Sequence, residues 1–277
     1  MNRPLTTLRT GWRAISALGL VSVVAVQALA HDVWIEPAGH RASIGSEVAV
    51  RIFVGDLPEK EEVAFKKERV ARFEAVGPSR TISIAGEEGR TPIGSFRALD
   101  PGLHVLVYQT HYSFIELDAG KFTEYLKEDG LEHIIAEREK LGEAERGAKE
   151  KYRRFAKSIV MVGDEDGGFD RRVGLLYELI PETPPSKWAP GKELTFRIEL
   201  QGAPLSGAKV KLVCVADASS SLKARTDPEG RVRFMPTAPG VWYAASVHML
   251  RAPDELQCDW ESFWASCSFE IPAATPK

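Results

Sequence analysis

The strongest constraint on the fold is a period of two that recurs along most of the chain. "EVAVRIFVG" from Glu47 alternates apolar and polar residues, and "RTISIAG" and "GLHVLVYQTHYSFIEL" continue the pattern up to Leu117. It resumes after a break with "KELTFRIEL", "AKVKLVCVA", "GRVRFMPT", "GVWYAASVHML" and "FWASCSFEIP". Gly, Pro and Asp punctuate the runs, and "DPEG" (Asp227–Gly230) is a turn in which Pro presets φ and Gly supplies a left-handed position. Short alternating strands at turn spacing specify β-sandwiches. The expected fold is mainly β, with two immunoglobulin-like or prealbumin-like modules.

The break itself is informative. Residues 119–157 are rich in Glu, Lys, Arg, Ala and Leu, with Phe122, Tyr125 and Leu126 and then Leu131, Ile134, Ile135 and Arg138 at helical spacing. This predicts a charged helical insertion over about 119–157, divided at Gly130. "LIPETPPSKWAPG", with four prolines, reads as a linker or a domain edge. The expected organisation is 1–30 as a signal peptide, 31–180 as the first sandwich carrying the insertion, and 186–277 as the second sandwich.

The leader follows from its own chemistry. Arg3, Arg9 and Arg13 precede an apolar run, "AISALGLVSVVAVQ", that ends in Ala28-Leu29-Ala30. A basic head, an apolar stretch too short for a membrane span and small residues at −3 and −1 make a secretory signal. Cleavage after Ala30 leaves His31 as the first residue of a periplasmic protein that does not span the membrane. A formal net charge of −3 argues against nucleic acid as a partner. The three cysteines, Cys214, Cys258 and Cys267, allow one disulfide in an oxidising compartment, and the sequence does not choose the pair.

No phosphate loop, nucleophile elbow or zincin motif is present, so nothing marks an enzyme. A terminal His31, by contrast, offers an α-amine and an imidazole to one metal ion, and Asp32 could add an oxygen or orient a ligand. Further imidazoles would complete a nitrogen-rich site suited to Cu²⁺ or Ni²⁺. The candidates are His248, at the end of a strand beside aromatics, and His104 and His111. The last two are seven residues apart, so a regular strand presents them on opposite faces. His133, in the charged segment, and His40, in a loop, are weaker. The acidic run Gly163–Asp170 lacks the spacing of a calcium loop and reads as solvated.

"AHDVWIEP", the long run from Gly102 through the charged segment, "KYRRFAKSIVMVGD" and "GVWYAASVHMLRAP … DWESFWASCSFE" together resemble the exported family called domain of unknown function 4198. The resemblance implies a two-sandwich periplasmic protein of the kind associated with nickel or cobalt uptake, handling the metal beside a membrane transporter. It carries the family's His-Asp start onto His31 and Asp32, and its His-Met pair onto His248 and Met249. The competing reading is a non-catalytic structural or interaction module, because sandwiches of this kind are common scaffolds.

Overall fold

A computed structural model describes residues 31–164 and 167–273; the signal peptide expected over 1–30 lies outside them. The strands run in chain order as β1 (Asp32–Pro37), β2 (Arg41–Ala42), β3 (Glu47–Asp56), β4 (Glu59–Glu62), β5 (Val70–Val76), β6 (Thr81–Ser83), β7 (Gly94–Arg97), β8 (Gly102–Thr110) and β9 (Ser113–Leu117). Helices α1 (Ala119–Glu128) and α2 (Glu132–Lys140) follow. The chain continues as β10 (Ala148–Val162), β11 (Tyr177–Pro181), β12 (Leu194–Leu200), β13 (Ala203–Pro204), β14 (Lys209–Cys214), β15 (Leu222–Arg225), β16 (Arg231–Phe234), β17 (Gly240–Arg251) and β18 (Trp260–Ile271). The architecture is mainly β and built from packed sheets, in agreement with the alternation in the sequence.

One sheet of ten strands organises the rest. Its order is β15-β14-β17-β18-β10-β8-β5-β6, with β2 and β9 also pairing with β10. Strands β10 and β18 join the two halves of the chain in parallel register, from Glu150↔Trp260 to Ser158↔Ser268. A four-stranded sheet (β1, β3, β4, β7) packs on one face, where Val50 and Ile52 meet Leu106 and Val160. A second four-stranded sheet (β11, β12, β13, β16) packs on the other, where Phe196 and Ile198 meet Val105, Phe155 and Phe269. The two sandwich-like packings therefore share their middle layer. Strands covered on both faces lose the in–out pattern, and β8 and β18 are buried almost without interruption.

The charged segment divides differently from the expectation of helix over 119–157. Asp118 caps α1 by accepting from the Lys121 N–H at 2.9 Å, and Phe122, Tyr125 and Leu126 are buried as their spacing predicts. Gly130, at φ +71°, separates the helices. Helix ends at Lys140, however, and residues 148–162 are the long strand β10. The ionisable side chains that suggested helix find polar partners, within the sheet and across layers. Glu150 accepts from Ser262 Oγ and from Tyr125 Oη, and the Arg154 guanidinium donates to the His31 carbonyl at 3.1 Å. Lys157 Nζ lies 2.8 Å from Glu178 Oε1. Partners from distant strands let a central strand carry these charges.

The cysteines are all free thiols. Cys214 stands opposite Trp242 and Cys267 opposite Ala244, so β17 lies between them. Two strand spacings are roughly 9 Å, beyond the ~7 Å limit on Cα separation for a disulfide. Burial pushes the Cys267 thiol up to about 11, which keeps it protonated and inert. No described helix is long and apolar enough to cross a membrane.

Candidate metal site at the first strand

Strand β1 begins where the expected site begins. Asp32 pairs with Gly55 in register, which sets the neighbouring Asp56 beside His31. Gly55 is required there. Its φ is +142°, and a Cβ would stand 2.3 Å from the Glu59 carbonyl oxygen. His31 Nδ1 lies 2.5 Å from Asp56 Oδ2, and both side chains are substantially exposed, at 37% and 52%. Asp56 was not legible as a partner, because it is brought in by the β1–β3 register from twenty-five residues away.

Asp32 faces inward instead. It is buried, accepts from Tyr243 Oη at 2.9 Å and pairs with Lys211 Nζ at 2.9 Å. Lys211 Nζ is also 3.9 Å from Asp56 Oδ1. Burial pulls the Lys211 ammonium down, but Asp32, Asp129 and Asp56 outweigh it and hold its pKa above the ordinary value. Burial and Asp32 both raise the Tyr243 hydroxyl, so it stays a donor. Trp34 stacks on the Tyr243 ring at 4.7 Å and 7°. The Asp32 oxygen proposed from sequence as a ligand is thus committed to an internal ion pair.

The other histidines do not gather at His31. His104 is fully buried on the face it shares with Leu106 and Tyr108, with its ring 5.8 Å from Phe96. A Cβ on Gly77 would stand 2.7 Å from His104 Nε2, so backbone fills the space a metal would need. Burial lowers the pKa of this ring. His111 lies just past β8, exposed, seven residues farther along an extended chain, about 23 Å by strand rise. His248 sits on the face of β17 opposite to Tyr243, since five residues separate them. There it packs on Tyr177 at 6.2 Å and stacks with His133 at 5.5 Å and 14°. His133 Nε2 also reaches the Met249 carbonyl at 3.2 Å, so this exposed residue helps dock α2 onto β17. His40 is buried, with Nδ1 held 2.8 Å from the Ile159 carbonyl. Among the described residues, no three His, Cys, Asp or Glu side chains form a group able to hold a metal. Asp166, in the acidic run, lies outside those residues.

His248 carries a testable pH effect. Burial, and then the His133 charge, lower its pKa to about 4. The folded ring stays neutral while the unfolded one protonates below its ordinary ~6.5, so protons favour unfolding between these values. Relative to His248→Phe, wild-type stability is expected to fall as pH drops from 6.5 towards 4, by up to about 1.4 kcal/mol per unit. Urea unfolding of both proteins across that range measures the difference; parallel pH profiles would show that the ring titrates normally.

A family model for a domain of unknown function, DUF4198, matches residues 28–250. The chain belongs to the DUF4198 family. No curated protein matches it. Among solved structures this DUF4198 chain is similar to the D00-D0 domain of intimin, at 6% identity and a TM-score of 0.20, covering 87% of this chain and 100% of that one. It is also similar to the D0-D1 domain of intimin, at 12% identity and a TM-score of 0.21, covering 85% and 96%. Likeness at that level carries no argument about function.

Proposed function

We propose that the exported chain, cut after Ala30, is a non-catalytic periplasmic carrier. It captures Ni²⁺, Co²⁺ or Cu²⁺ at its amino terminus and supports uptake by a membrane transporter. The observation that supports this most is the His31 Nδ1–Asp56 Oδ2 pair, 2.5 Å apart on an exposed edge. Nitrogen and oxygen ligands each about 2.0–2.2 Å from one ion, at right angles to each other, stand roughly 2.9 Å apart. The freed α-amine would be the third donor, closing a chelate ring with Nδ1 of the same residue. Three donors on an exposed edge leave the rest of the coordination sphere to water or to a receiving partner, which suits transfer better than storage.

Titration of the protein beginning at His31 with each ion tests the reading. An added Ala before His31, and separately Asp56→Asn, are expected to weaken binding about ten- to hundredfold, the range seen when a metal site loses a supporting group. Unchanged affinity in both variants would overturn the amino-terminal site and leave the structural or interaction module as the better account.

A further inference from the structure

The hairpin β14–β15 places like charges where a sheet does not favour them. Lys209 stands directly opposite Arg225, and Lys211 directly opposite Lys223. Residues two apart share a face, so all four cations project from one side. Like charges in direct cross-strand register are destabilising. Some of this charge is compensated. Arg225 pairs with Glu132 at 2.6 Å and Lys211 with Asp32 at 2.9 Å. Lys209 Nζ donates to the Glu128 carbonyl at 2.5 Å. Lys223 is exposed and adds its charge beside Lys209.

These lysines form the floor of a cleft whose wall is the turn between α1 and α2, with the small side chain of Ala245 leaving room at the base. Asp129 lines the same cleft. It is 8% exposed, and its Oδ2 is buried with no hydrogen-bond partner among the described residues. A buried carboxylate oxygen left bare near the Lys209 and Lys211 ammonium groups is a costly arrangement unless something completes it. The cations call for a carboxylate, and the bare oxygen calls for a donor.

We propose that this cleft binds a small organic acid bearing a hydroxyl or amino group. Its carboxylate is held by Lys209, Lys211 and Lys223, and its donor is accepted by Asp129 Oδ2. Neither His31 nor Asp56 lines the cleft, and the two sites meet only through Lys211, whose Nζ is 3.9 Å from Asp56 Oδ1.

Calorimetric titration of the chelator-treated, desalted protein with L-malate, L-aspartate and succinate tests it. These C4 diacids differ only in carrying a hydroxyl, an ammonium or a hydrogen at C2. Malate or aspartate is expected to bind about tenfold or more tightly than succinate, the factor that one satisfied buried acceptor provides. Lys223→Gln, on an exposed edge strand, also relieves the Lys211–Lys223 repulsion, so it is expected to weaken that binding several-fold without lowering the melting temperature. No binding by any of the three acids, equal binding of all three, indifference to Lys223→Gln, or equally tight binding of inorganic phosphate would each overturn the assignment.

Discussion

Glu178→Leu is expected to cost the fold about 3–5 kcal/mol, the penalty for leaving a buried charge without its partner. Lys157, in the central strand β10, and Glu178, in β11, are 2% and 4% exposed and 2.8 Å apart. The Glu178 carboxylate also accepts from the backbone N–H groups of Val173, Gly174 and Leu175 at 2.8, 3.1 and 3.1 Å. One side chain thus orders the approach to β11 and neutralises the charge beneath it. Leucine would strand both the ammonium and three N–H donors. Lys157→Met removes only the cation and leaves Glu178 its three donors, so a smaller loss is expected. Urea unfolding followed by tryptophan fluorescence reads both variants. Equal losses would mean that the three N–H bonds add little beyond the pair, and a loss below about 1 kcal/mol for Glu178→Leu would mean that the pair contributes little to the joint between the layers.

Asp32→Leu is expected to be nearly as damaging, at about 3 kcal/mol, near the lower end of the same range. It leaves Lys211 without its nearest anion and the Tyr243 hydroxyl without an acceptor. Asp56, 3.9 Å from Lys211, softens the loss. The same variant separates structure from function. If Asp32 acts only through Lys211 and Tyr243, the variant, held where it remains folded, should still bind metal at His31 and Asp56. Lost metal binding with unchanged stability would make Asp32 a ligand instead.

Particular residues show how far the chain could be read. Phe122, Tyr125 and Leu126 announced α1 correctly, because a helix packed on one side writes its buried face at regular spacing. Ala148 to Lys157 carried the same composition and became strand, because Glu150, Arg154 and Lys157 find partners in β18, at His31 and in β11. His104 was placed on the face of Leu106 and Tyr108 by alternation, and that is where it lies. What alternation did not reveal is that Gly77 closes over its ring. His133 is exposed, and it still stacks on His248 because α2 lies against β17.

The sequence by itself determined the β class, the turns, the two helices near Gly130 and the prominence of His31. Each is a local consequence of side-chain period, turn chemistry or position in the chain. Only the tertiary structure decided that the two sandwich-like packings share one ten-stranded sheet, that Asp56 rather than His248 stands beside His31, and that Asp32 serves Lys211. Those outcomes depend on strand order and register between segments far apart in sequence, and on which buried charge meets which. A local pattern carries no record of its distant partner.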